Sequence, residues 1–184
     1  MRKISLALTA ATLCLATATP ALAQRGMQPG SMPMRGDMMN PTEARQFVMM
    51  AGASDLFEIQ SSRLALQRSR NPQVRRFAQM LITHHTQTTQ SVMAAARRAR
   101  VMTPPPRLMP MQQRMMTELR AARGNNFDSV YLSQQVPAHE MALQLHQNYA
   151  SNGDRPPLRQ AASTAVPIVT RHLEEARQMA GRRM

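Results

Sequence analysis

Residues 72–100, PQVRRFAQMLITHHTQTTQSVMAAARRAR, decide the fold. Val74, Phe77, Ala78, Leu81, Thr88, Val92, Ala95, Ala96 and Ala99 recur in it at the spacing of one helix face. Pro72 suits a first helical position, where its missing N–H would have no intrahelical acceptor in any case. One side chain interrupts the stripe. His85 lies eleven residues after Val74 and seven before Val92. At about 100° per residue both fall within about 20° of it around the helix axis. A titratable ring is therefore aimed at the core.

Working outward, the flanking segments supply partners for that stripe. Asn40-Pro41-Thr42-Glu43 has the form of a helix start: Asn as cap, Pro first, Glu three residues after the cap. The helix it opens runs to about Ser69, with Phe47, Met50, Ala51, Ser54, Glu58, Ser61 and Ala65 facing inward. Beyond residue 100, Thr103-Pro104-Pro105-Pro106 forces an extended connection. A short helix follows, with stripe Leu108, Met111, Met115, Leu119 and Ala122, and Gly124 ends it. From Asn126 a longer helix carries Leu132, Val136, His139, Leu143 and His146, with Pro137 expected to kink it. Asn152-Gly153 stops that helix and Asp154 is placed to cap the last one. Its stripe is Leu158, Ala161, Ala162, Ala165, Val169, His172, Ala176 and Met179, with a bend expected at Pro167. No segment alternates like a strand. The expected class is all-α: four long, roughly antiparallel helices plus one short helix in the longest crossover, in a single bundle domain over residues 41–184.

The segments before that domain read differently. Arg2 and Lys3, the apolar run from Ile4 to Ala18, and Ala21-Leu22-Ala23 before Gln24 compose a secretory signal peptide over residues 1–23. Its apolar run is too short for an ordinary membrane span. Cys14, the single cysteine, sits inside that run behind Leu13 rather than in a lipobox. Residues 24–40 contain three glycines, two prolines and no apolar period, and read as a disordered Met/Pro/Gly-rich linker. Cleavage after Ala23 would leave 161 of the 184 residues, with no cysteine and so neither disulfide nor thiolate site. It would also remove Arg2 and Lys3, lowering the formal charge from +13 to +11, all of the positive part arginine. A basic chain ordinarily raises nucleic acid as a partner. An exported one meets little of it, which leaves anionic envelope surfaces, or simply a solvated basic face. A periplasmic or otherwise exported location is expected, with no transmembrane segment after cleavage.

Four polar titratable residues stand in the apolar stripes of the four long helices: Glu58, His85, His139 and His172. Burying such groups without partners costs roughly 2–7 kcal/mol each, before charge is counted. They are expected to meet one another, a ligand, or both. Histidines and carboxylates on facing helices build metal sites in bundles, and imidazole suits copper, iron or zinc. The Glu-x-x-His motif of di-metal carboxylate bundles is missing, because Ile82, Val136 and Val169 precede the three histidines by three. The first expectation is a self-satisfied Glu–His network that sets helix register. The alternative is a transition-metal site. His84 and Glu175 are secondary candidates, His84 at the rim and Glu175 three residues after His172. His146, two turns along from His139, is expected at the boundary.

Methionine is the other excess, at 18 residues. Met32, Met34, Met38 and Met39 cluster in the linker; Met109, Met111, Met115 and Met116 form a second group. Thioethers are soft donors that select copper(I), so the linker cluster is a candidate soft-metal segment. In the short helix, Met111 and Met115 are expected simply to fill core space.

Glu58-Ile59, Phe77-Ala78-Gln79 followed by His85, Gly124 with Phe127-Asp128 and Tyr131, His139 with Ala142-Leu143, and Pro167 with His172-Leu173 carry a resemblance over roughly residues 43–180. Together they resemble the exported bacterial proteins of domain-of-unknown-function family 4142. The resemblance implies a ferritin-like helical bundle and a periplasmic location, with no established activity. The family commonly has acidic residues before the second-helix histidine, where this chain has Thr83 and His84. No nucleotide loop, G-x-S-x-G elbow or cysteine nucleophile points to an ordinary enzyme. The function expected is therefore a non-enzymatic, exported bundle, envelope- or stress-related, with a buried Glu/His network. The alternative is a periplasmic metal-binding or redox-protective bundle using the His/Glu cluster or the methionines.

Overall fold

Helix boundaries follow local chemistry closely in the computed structural model, which describes residues 41–124 and 126–181. The signal peptide over 1–23, the linker over 24–40 and its Met32, Met34, Met38 and Met39 lie outside the described residues. So does Asn40, the expected first cap; Glu43 fills that role. Its carboxylate accepts the Arg45 and Gln46 amides at 3.1 and 3.2 Å and opens α1, Ala44–Arg68. Asn71 caps α2, Pro72–Arg98, through the Gln73 amide at 2.9 Å. The C-terminus of α2 closes on paired bonds, Arg100 N–H to Arg97 C=O at 3.1 Å and Val101 N–H to Ala96 C=O at 2.9 Å. That Schellman pattern places Arg100 at φ 56°, a seat glycine usually takes.

The short helix α3, Pro110–Ala121, follows the proline-rich connection, with the Met109 amide donating to Gln112 Oε1 at 2.8 Å. Gly124, at φ 54°, lies in the turn before α4, Asn126–Asn152. The last helix is α5, Pro156–Gly181. Both α4 and α5 continue through their internal prolines, Pro137 and Pro167. Asp154, expected as the cap of α5, instead accepts the Tyr149 hydroxyl at 2.8 Å.

Two apolar clusters define how the helices run. One joins Phe47, Val48 and Ala51 from the start of α1 to Val92, Ala95 and Ala96 from the end of α2. Leu145 and Tyr149 from the end of α4 and Leu158 from the start of α5 complete it. The other joins Ala65, Phe77, Ala78, Leu81, Tyr131, Leu132 and Ala176 from the opposite ends of the same helices. So α1 and α5 run one way, and α2 and α4 the other. The α2–α4 connection must travel the length of the bundle, and it carries α3. This up-down-down-up order is the ferritin-like arrangement with one long crossover. Among the described residues there are five helices and no strand, and no helix is long and apolar enough to cross a membrane.

The short helix packs over the α1–α4 side, where Met116 meets Phe57 and Ala138. Its sequence stripe holds at Leu119 and Ala122, both buried as read, and departs from the expectation only toward the start of the helix. Met116 is buried, whereas Met111, expected in the core, is 40 % exposed and Met115 is half-buried. A two-sided core would have required the expected face; a helix laid on a groove contacts through a narrower strip.

Candidate metal centre

Between the two apolar clusters the core turns polar. Asp55 and Glu58 from α1, His85 and Thr88 from α2, Gln135 and His139 from α4, and His172 from α5 are all buried there. The three imidazoles form a near-equilateral triangle, with ring centroids 5.3, 5.5 and 5.6 Å apart. Each ring contributes one nitrogen to a set lying within 4.8 Å of one another.

Every ring commits its other nitrogen to a neighbour. His85 Nδ1 pairs with Asp55 Oδ1 at 2.8 Å. His139 Nδ1 donates to the Gln135 carbonyl at 2.8 Å, which fixes its tautomer with Nε2 unprotonated. His172 Nε2 lies 2.8 Å from His84 Nδ1, the two rings stacked with centroids 5.0 Å apart. The remaining nitrogens, His85 Nε2, His139 Nε2 and His172 Nδ1, are buried and have no hydrogen-bond partner. Metal-ligating histidines are held in this way, one nitrogen fixed by a carboxylate, carbonyl or other acceptor and the other presented to the ion.

Glu58 stands beside the triangle, its Oε1 3.7 Å from His139 Nδ1. Neither of its carboxylate oxygens is hydrogen-bonded, and the nearby Gln135 amide donates to Ser61 Oγ at 3.2 Å. Burial pushes Glu58 up to about 8, with Asp55 adding to the rise and His85 opposing it. Burial holds His139 down at about 3 and His172 at about 2, assisted in both by the positive charge of His85. Both are neutral near pH 7, the form that ligates. His85 moves the other way: burial pulls it down, but the Asp55 hydrogen bond and charge outweigh that and raise it.

The structure thus gathers Glu58, His85, His139 and His172 in one layer and adds His84, half-buried, as the partner of His172. It does not bring Glu175 there; that side chain lines a surface cleft with Gln73 and Arg76 near the start of α2. His146 is 3 % exposed, not at a boundary, and meets the Phe47 ring edge-on at 5.5 Å in the apolar cluster. Asp55 was missed as a participant. The four stripe residues were expected to meet one another or a ligand, yet Asp55 takes the His85 ring and also accepts Thr88 at 3.0 Å and Thr89 at 2.8 Å. The signal was present: Asp55 lies three residues before Glu58, one turn away on the same helix.

Nitrogen ligands surround a zinc-sized ion at about 2.0–2.1 Å. Three nitrogens within 4.8 Å of one another define a circle of at most about 2.8 Å radius, so the rings need close by under about 1 Å. The donor set fits a transition ion. Imidazole with a carboxylate alongside suits copper, zinc, iron or nickel, and disfavours magnesium or calcium.

Solved structures share the fold. "CopM in the Cu(II)-bound form" superposes with a TM-score of 0.62 at 18 % identity, covering 75 % of this chain and 95 % of that one. "CopM in the Cu(I)-bound form" gives 0.61 at 18 % identity, covering 74 % and 94 %. A DUF305 fragment from Deinococcus radiodurans gives 0.65 at 18 % identity, covering 78 % and 98 %. No curated protein matches the chain. Residues 29–179 match the family described as "Domain of unknown function (DUF4142)", and the chain belongs to that family.

Proposed function

We propose that this domain binds a transition-metal ion, copper(II) first among them, in the buried layer formed by His85, His139 and His172 beside Glu58, and that it does so as an exported protein. One observation carries the reading: three buried imidazoles each bring one nitrogen within 4.8 Å of the others, and each ring has one nitrogen held by a neighbour and one without a hydrogen-bond partner. A self-satisfied network, the first expectation from sequence, is the rival reading; one nitrogen without a partner on each of the three rings favours a ligand over it. Copper is favoured among imidazole-loving ions by its place in the affinity order. The similarity to a bundle solved with copper bound adds weight to that choice. Export rests on the signal-peptide reading of residues 1–23, and the arginine-rich surface suits an anionic envelope.

The role is holding rather than turnover. His85 is 2 % exposed and Glu58, His139 and His172 are fully buried, so a substrate has no ready access to the layer. Binding would release the proton of Glu58 and that of His85, because both must ligate or compensate in deprotonated form. The test is elemental analysis of protein purified from its own cells without chelators, followed by copper(II) and zinc(II) titration of the apo-protein. One equivalent is expected in the wild type and none in His139→Ala or His172→Ala. Equal stoichiometry in wild type and both variants would refute the site.

A further inference from the structure

The methionines on the α3 side form a second feature that the histidine layer does not use. Met50 from α1, Met109, Met111 and Met115 from the α3 segment, and Met141 from α4 line one groove of about 360 Å³. The large hydrophobic side chains exposed among the described residues are Met49, Met102, Met109 and Met111, every one a methionine. Two of them rim this groove, and Met49 lines the adjoining one beneath Pro104–Pro106, which shares Met109 and Pro110. Ordinary core filling would bury such side chains or use leucine; here five methionines line one hollow, with Met109 and Met111 exposed and Met50 and Met115 only partly buried against the core.

The remaining lining sharpens the chemistry. It holds no histidine, aspartate or glutamate, and Arg114 is the one charged group among its residues. Hard or divalent cations find no anionic ligand and a repelling guanidinium. Neutral thioethers bind soft ions by polarisability rather than charge, and among biological metals they select copper(I). We propose that this groove is a second metal site, separate from the histidine layer, that takes a soft monovalent cation of the copper(I) and silver(I) type through methionine sulfur.

The two sites lie back to back across the same helices. On α1, Phe57 faces the groove and Glu58 the polar layer; on α4, Ala138 faces the groove and His139 the layer. The inference does not depend on the histidine site, and each can fail alone.

Silver(I) is the probe, added to the full chain carrying methionines labelled at the methyl carbon. The first equivalents should shift the methyl signals of Met109, Met111, Met115 and Met141. A variant with Met109, Met111, Met115 and Met141 all replaced by Leu keeps side-chain volume and should fold with unchanged helical circular dichroism. It should bind one silver(I) fewer than wild type while retaining its copper(II) behaviour at the histidines. Shifts confined to Met32, Met34, Met38 and Met39, or full silver(I) stoichiometry in the folded leucine variant, would overturn the proposal. The groove would then be a packing or docking surface.

Discussion

Asp55→Ala tests the polar layer where the sequence was least informative. The Asp55 carboxylate is 4 % exposed and accepts from His85 Nδ1 at 2.8 Å, Thr88 Oγ1 at 3.0 Å and Thr89 Oγ1 at 2.8 Å. These donors do not suffer equally. Thr88 keeps the His85 carbonyl at 3.1 Å as a second acceptor, and Thr89 is half-exposed and reaches water. His85 has no such relief, so its stranded Nδ1 proton dominates, at about 1–3 kcal/mol for a buried donor left unmade. With the small cavity included, urea unfolding should show a loss of about 2–3 kcal/mol at unchanged m-value. Asp55→Asn retains an Oδ1 acceptor of the same shape and should lose only about 1 kcal/mol. The same carboxylate orients and activates His85, so the alanine variant should also bind copper(II) roughly 10–100-fold more weakly. An alanine variant within about 0.5 kcal/mol of wild type and with undiminished metal affinity would refute the argument, since Asp55 would then neither support the core nor set the ring.

Three further outcomes are expected. Without metal, stability should peak near pH 6.5. His139, His146 and His172 titrate at about 3, 4 and 2 when folded, so below 6.5 the unfolded chain binds more protons and stability falls with pH. Above it, Glu58 at about 8 and the raised His85 bind protons more tightly in the folded state, and stability falls as pH rises. Thermal melts in chelator that rise steadily from about pH 5 to about pH 9 would contradict this balance. Arg100→Gly should stabilise the domain by about 0.5–1 kcal/mol in denaturant titration, because φ 56° suits glycine. Gly153→Ala should destabilise by about 1–3 kcal/mol. Its Cβ would collide with the Tyr149 ring and lie 2.6 Å from the Tyr149 carbonyl oxygen, while that ring is already stacked on Phe47 at 3.9 Å; an unchanged melting temperature would contradict it.

The long helices were legible because their signals are local and redundant. The α2 stripe from Val74 to Ala96 is buried almost as read, and Asn71-Pro72 begins the helix. Topology was only half legible. Short connections suggest antiparallel neighbours, but the parallel run of α2 and α4 follows from where the 100–125 crossover ends, which no periodicity records. The site was legible as an anomaly, four polar residues in apolar stripes, yet its wiring was not. Asp55 lies one turn from Glu58 on a helix whose inner face is broad enough to bury both, together with Ser61 and Ser62. A single-stripe reading assigns such a face too few residues. The methionines of α3 failed for the opposite reason: a helix resting on a groove buries a strip narrower than its apolar pattern.

The topology gives the polar layer a role in assembly. The first hairpin, α1–α2, carries Asp55, Glu58, His84 and His85; the second, α4–α5, carries Gln135, His139 and His172. The Asp55–His85 bond lies within the first hairpin, whereas His84–His172, Ser61–Gln135 and Ser62–Tyr131 cross between the two. Asp55 can therefore fix His85 before the halves meet, but the triangle of nitrogens exists only once they dock. An ion held by His85, His139 and His172 would bind the docked state and neither isolated hairpin, stabilising their association by mass action. The layer is the polar middle of the core, where three ring nitrogens and the Glu58 oxygens have no hydrogen-bond partner within the chain. Two apolar clusters, one on each side, hold the hairpins together. A fold secured by apolar packing at both ends tolerates a polar centre, and an ion bound there would add its affinity to a docked state that already stands.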